Sequence, residues 1–97
     1  MFRKEFQGRN PEDSEELCAL TELAEGEKGI VVKALGGYGL VKRLAEMGLT
    51  PGTEIKLVKK GSFGGPVEVE VRGVALALGR GVASKVLVRP VNEGSHD

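Results

Sequence analysis

The sequence is poor in the residues that usually carry chemistry. It has one cysteine, Cys18, and one histidine, His96. A lone cysteine cannot form an internal disulfide, and such sparing use suits a reducing compartment, so the chain is expected in the cytoplasm. His96 stands in a polar stretch, with no second histidine or cysteine to complete a catalytic group or a closed metal site. No catalytic residue, metal ligand or cofactor is therefore assigned. Tryptophan is absent, and three phenylalanines and one tyrosine make up the aromatics. A core has to be aliphatic, and aromatic platforms for bases or for proline-rich peptides are in short supply. No apolar run approaches the about 20 residues needed to cross a bilayer, so no membrane insertion is expected. The opening MFRKEFQGRNPEDSEEL carries charges without the apolar segment of a signal peptide.

An excess of one charge sign is missing as well, with 14 basic and 14 acidic residues. The balance hides a gradient. Met1 to Glu25 holds three basic and seven acidic residues, Gly26 to Pro90 eleven and five, and the last seven residues two acidic ones. A mildly basic segment between acidic ends suits an acidic protein surface or a juxtamembrane partner about as well as nucleic acid. Nucleic-acid binders usually show a stronger excess, so no nucleic acid is expected as partner. At 97 residues the chain allows one domain. The expected division is a flexible acidic tail over 1–18, a folded domain over 19–90 and a second tail over 91–97.

What the chain does have is a helix signal between strand signals. Leu35 to Gly52 reads LGGYGLVKRLAEMGLTPG. Glycines at 36, 37 and 39 let a strand turn sharply into a helix. Tyr38, Val41, Leu44, Ala45 and Gly48 recur at helical spacing, and so do Leu40, Leu44 and Met47. Lys42 and Glu46 stand one turn apart and can pair. Gly48 sits where a left-handed residue closes a helix, with Leu49 folding back onto Leu44 or Ala45. Thr50, Pro51 and Gly52 then form a turn.

Around this helix the chain alternates. Leu17, Leu20 and Leu23 suggest one helical turn, with Thr21 as its cap. Gly29–Leu35 is expected as the first strand and Glu54–Lys60 as the second, with Ile55 and Leu57 inward. Val67 to Arg72 alternates valine with charge, and Arg72-Gly73 makes a two-residue hairpin. Val74, Leu76 and Leu78 are expected inside, with Ala75 and Ala77 outside. A short connection over Gly79–Ser84, containing one 3₁₀ turn, leads to a last strand over Lys85–Arg89 that stops at Pro90. The fold class is mainly β. The expected form is a small SH3-like barrel of about five strands, with one short helix inserted between strands 1 and 2.

The glycines before the helix invite a phosphate-cradle reading, but neither the dinucleotide spacing nor the Gly-Lys-Ser/Thr of a P-loop is present. Glu68 and Glu70, between valines, read as solvated positions. The lysines of the folded part leave a small-barrel RNA-binding protein as one alternative, and an SH3-like peptide-binding adaptor as another. The surface reads best as a docking patch. Leu40 is spare if Val41 and Leu44 fill the core, and Phe63 sits exposed on the glycine-rich loop Gly61–Pro66.

LTEL at 20–23, GEKG at 26–29 and above all KRLAEMGLTPG at 42–52 resemble the FeoA family, ferrous-iron transport protein A. GGPVEV at 64–69, Arg72-Gly73, and ALAL at 75–78 followed by KVLV at 85–88 continue the likeness, which covers about Ala19 to Arg89. The resemblance implies an SH3-like barrel in the cytosol of a prokaryote. It also implies a non-catalytic accessory of ferrous-iron uptake that binds the membrane permease FeoB, which carries a cytosolic G-protein domain. Carried over by position, the contact candidates are Leu40, Lys42, Arg43, Glu46, Phe63, Gly64 and Pro66. Gly37, Leu44, Met47, Gly48, Leu49, Pro51, Gly52 and Gly73 are structural. Gly65 stands where many relatives have Asp or Asn, and Gly79-Arg80-Gly81 replaces a charged, helix-favouring stretch. The related metal-dependent repressors carry helical domains upstream of this barrel, which the eighteen polar residues at the start of this sequence are not expected to supply, so a repressor is not expected. Iron binding by the chain itself, and weak homo-oligomer formation through a barrel edge, stay open.

Overall fold

Alternation of valine with charge produces the sheet. In the computed structural model, which describes residues 16–91, Val67, Val69 and Val71 are buried while Glu68 and Glu70 between them are half-exposed. Six strands form: β1 (Cys18–Ala19), β2 (Lys28–Ala34), β3 (Glu54–Lys60), β4 (Val67–Val71), β5 (Val74–Leu78) and β6 (Val86–Val91). They pair antiparallel in the order β1-β6-β2-β3-β4-β5. Helix α1 (Tyr38–Glu46) lies between β2 and β3, and a one-turn helix α2 (Arg80–Ala83) between β5 and β6. The fold is mainly β, an SH3-like barrel with the long helix where the sequence places it.

Two register shifts bend the sheet, one in β2 between Val31 and Lys33 and one in β3 between Leu57 and Lys59. An extra residue on one strand increases local twist and curvature, which lets a short sheet wrap around its own side chains. The 3₁₀ turn Leu20–Glu22 packs on α2 and β6. Leu20, Leu23, Val31, Leu44, Leu49, Ile55, Leu57, Leu78, Ala83, Val86, Val88 and the three β4 valines form one core. Among the described residues no aromatic side chain belongs to it.

The structure departs from expectation in several places. A sixth strand, the two-residue β1, joins the five expected ones. The turn after it is 3₁₀, and Leu17 is exposed. Its capping acceptor is the Glu22 carboxylate, which receives the Ala19 N–H at 3.3 Å, rather than Thr21. Strand β5 is half as buried as its alternation suggests. Val74 is 57% exposed and only Leu78 is buried, because β5 is an edge strand and curls out of the core. The Gly79–Ser84 connection is α-helical over Arg80–Ala83 despite two glycines. Strand β6 runs through Pro90 to Val91, with Pro90 opposite Gly29. Its other neighbour, β1, reaches only Val88, so proline there costs no ladder bond. The parts of the expected tails at residues 1–15 and 92–97 lie outside the described residues, as does His96.

Candidate protein-docking site

Helix α1 is hung between two fixed points. At its start Gly36 carries φ +141°, and a Cβ there would lie 2.7 Å from the Leu40 Cδ2 atom. The sharp turn and the close approach of Leu40 therefore both need glycine at 36. Gly37, expected to share that role, has an ordinary φ of −76° and serves as the N-cap residue. At its end Leu49 N–H donates to the Leu44 carbonyl and Gly48 N–H to the Ala45 carbonyl, both at 2.9 Å. This is a Schellman closure, with Gly48 left-handed at φ +93° and Leu49 buried beside Leu44. Thr53 N–H then donates to the Thr50 carbonyl at 3.1 Å across Pro51 and Gly52. Gly52 N–H reaches the Val31 carbonyl at 2.7 Å, tying the turn to β2.

Between these points the helix buries little. Leu44 is its single buried residue, and Leu40 is half-buried against the core. Tyr38 is 80% exposed, and Val41 and Met47 are exposed as well. The expected exchange is thus reversed: Leu40 packs and Val41 is spare. At 100° per residue Tyr38, Val41 and Ala45 share one outward stripe, bordered by Lys42 and Glu46. Lys42 Nζ donates to Glu46 Oε2 at 2.9 Å, so these two hold each other along the rim. Arg43 follows on the far side of Glu46, also exposed. The result is a small apolar strip flanked by a paired cation and anion and by one exposed guanidinium.

The second candidate is the loop between β3 and β4. Gly61 N–H donates to the Pro66 carbonyl at 2.8 Å, and Gly65 N–H to the Ser62 carbonyl at 2.9 Å. Arg80 Nη2 donates to the Gly61 carbonyl at 3.1 Å, bracing the loop base from α2. At the tip Phe63 is fully exposed, with φ +56° and ψ +42°. A left-handed phenylalanine costs about 1–2 kcal/mol relative to a right-handed one. Its ring recovers none of that by burial. Gly64 and Pro66 are exposed beside it.

The fold does not bring the two candidates together. Strand β3 begins after the turn that follows α1 and ends at the Phe63 loop, a length of about 20 Å at about 3.3 Å per residue. A Cβ at Gly48 would touch Val71 at 3.5 Å, at the far end of β4 from Val67. Leu40, Lys42, Arg43 and Glu46 thus belong to one end of the β3–β4 hairpin, and Phe63, Gly64 and Pro66 to the other. Gly73 lies at the tip of the β4–β5 hairpin. Tyr38 was missed as a surface residue because its spacing fits the buried stripe as well as Leu40 does. Only its glycine neighbours at 36, 37 and 39 hinted at a chain held off the core.

The sequence profile of the FeoA domain matches residues 18–90. The chain belongs to the FeoA family. A Methanocaldococcus jannaschii relative named for Fe(2+) transport is 36% identical over 73 residues, covering 75% of this chain and 87% of that one. A crystal structure of an iron uptake regulatory protein, FeoA, has a TM-score of 0.73 at 41% identity, covering 78% of this chain and all of the other. Stenotrophomonas maltophilia FeoA, solved with zinc and described as a prokaryotic SH3 domain protein, has a TM-score of 0.63 at 31% identity. Those alignments cover 72% of this chain and 87% of that one.

The zinc of that FeoA structure finds no ready counterpart among the described residues of this chain. Among the described residues no three His, Cys, Asp or Glu side chains come together as a donor set. Cys18 is half-buried, and its thiol is pushed above the ordinary range by burial first, then by Glu22, Glu27 and Glu16. A thiol held neutral in this way is a poor ligand and a poor nucleophile. A surface depression of about 510 Å³ lies over β2, β3 and the hairpin tip and is lined by Lys28, Lys56, Arg72, Glu54 and Glu70. Its charges face each other across strands: Lys28 Nζ is 3.8 Å from Glu54, and Lys56 is in register with Glu70. This FeoA barrel therefore offers apolar projections beside a depression lined by charges of both signs. Among the described residues no helix is long and apolar enough to cross a membrane.

Proposed function

We propose that this FeoA-family chain is a non-catalytic accessory of ferrous-iron uptake, acting in the cytoplasm by contact with the cytosolic region of the permease FeoB. The observation that carries the reading is the outward stripe of α1. Tyr38 and Val41 are exposed on a helix that contributes one buried residue to the core. A helix that buries so few of its side chains while exposing apolar surface fits a docking element. Lys42, Arg43 and Glu46 on its rim would set orientation through charge, while Phe63 at the other end of β3 would make a separate contact. Docking of this kind would bias the permease's conformation or nucleotide state, and so support or regulate Fe(II) transport.

The test is an amide-shift titration of the labelled chain with the permease's cytosolic domain, with and without guanine nucleotide, and with ferrous iron as a separate titrant. Shifts centred on 38–46, with a smaller set at 61–66, are the expected result. Shifts absent from α1, or binding unchanged when Tyr38, Lys42 and Arg43 are replaced together in a chain that still melts cooperatively, would remove the docking role. Saturable iron-induced shifts in the barrel would replace it with direct iron binding.

A further inference from the structure

The sheet has two edges, and they are managed differently. At one, β1 is only two residues long, which leaves little backbone for another strand to pair with. At the other, β5 is five residues long and reads VALAL, without charge, proline or glycine. Among the described residues none of the usual guards against edge pairing is present.

The backbone phase of β5 follows from its hairpin. Arg72 and Gly73 have φ of +54° and +82°, the two positive values of a type I′ turn, which is closed by a hydrogen-bonded pair. Val71 and Val74 are that pair. Alternation then makes Val69–Leu76 and Val67–Leu78 the next bonded pairs with β4. Ala75 and Ala77 fall between them, so their N–H and C=O groups point away from β4, where no described strand lies.

We infer that β5 pairs with β5 of a second copy of this chain, antiparallel, about a two-fold axis at Leu76. In that register Ala75 stands opposite Ala77 of the other copy and the reverse. Each pair exchanges both of its free backbone bonds, so the edge is complementary to itself. Leu76 meets its own counterpart, and Val74, 57% exposed, gains cover beside the other copy's Leu78. The outward side chains at 75 and 77 are methyl groups and obstruct nothing. Glu68 and Glu70 lie one strand back. Between copies they are three strand spacings apart, about 14 Å, beyond the screening length of about 8 Å at physiological salt. The formal net charge of zero adds no long-range repulsion. Five residues a side bury far less than the about 1,200–2,000 Å² of a stable interface, so the dimer is weak and concentration-dependent. This surface is separate from the α1 stripe, and its fate does not decide the docking proposal.

The experiment is amide exchange and sedimentation of the full chain between about 10 μM and about 1 mM, a range that brackets weak association. Ala75→Pro removes one outward N–H and no bond to β4, and Ala77→Lys restores an edge guard. The expected result is a mass that rises toward the dimer, with protection of the Ala75 and Ala77 amides rising several-fold in step. Both variants should stay monomeric with an unchanged melting curve. A mass that stays monomeric at the highest concentration overturns the inference. So does a dimer that survives both variants. Protection that is independent of concentration and lost on removing residues 1–15 would give the edge to that segment instead, and protection gained only with the permease domain would give it to the partner.

Discussion

Strand β4 and helix α1 lie close together and invest in the core very differently. In β4 every second side chain is buried, and Val67, Val69 and Val71 line the barrel. In α1 nine residues bury one, Leu44, with Leu40 half-covered. The strand is fold and the helix is mostly surface. The helix is nevertheless tied at both ends, by the tight turn at Gly36, the Schellman closure at Gly48 and the bond from Gly52 to Val31. A rigid mount with a sparsely buried occupant is how binding surfaces are commonly presented, because the scaffold has already met the ordering cost that binding would otherwise incur.

This contrast can be broken at one residue. Leu44→Ala should cost about 2–5 kcal/mol and lower the melting temperature by at least about 8 °C, since its side chain leaves a cavity in a small core. Val41→Ala, one turn away, should stay within about 0.5 kcal/mol. Equal losses in a denaturant titration would mean that α1 is rotated and that Val41, not Leu40, faces inward. Phe63→Gly sharpens the contrast from the other side. It removes a strained, fully exposed side chain, so the barrel should hold its stability or gain up to about 1 kcal/mol while permease binding weakens. A clear loss of stability would show that the ring packs. The smallest effect is expected from Lys42→Ala. The Lys42–Glu46 pair is exposed on both sides, which limits its loss to about 0.3–0.5 kcal/mol, and 1 M salt should erase the difference.

Strand positions were legible because a period of two leaves no choice of face. Glu68 and Glu70 could only be outside once Val67, Val69 and Val71 were inside, and β3 was readable to its ends. The same reading failed at β5, where alternation was correct in phase and wrong in burial. Val74 follows the pattern, but an edge strand has a partner on one side only, and sequence does not say which strand becomes the edge. The helix failed differently. Tyr38–Val41–Leu44–Ala45 and Leu40–Leu44–Met47 both satisfy a period of 3.6, share Leu44, and differ by a rotation of about 100° about the helix axis. Propensity is indifferent to that rotation. The approach of Leu40 to Gly36 fixes it, a contact between a side chain and the turn that carries it.

The sequence by itself determined the aliphatic core, the hairpin at Arg72-Gly73, the closing signals of α1 and membership of the FeoA family, each set by local backbone chemistry or by a run of adjacent residues. The tertiary structure alone decided which face of α1 is wet, that the helix and the Phe63 loop lie at opposite ends of β3, and that β5 ends the sheet. Those outcomes depend on how the strands bend and in what order they pair, and bending and pairing order arise from contacts between residues far apart in the chain.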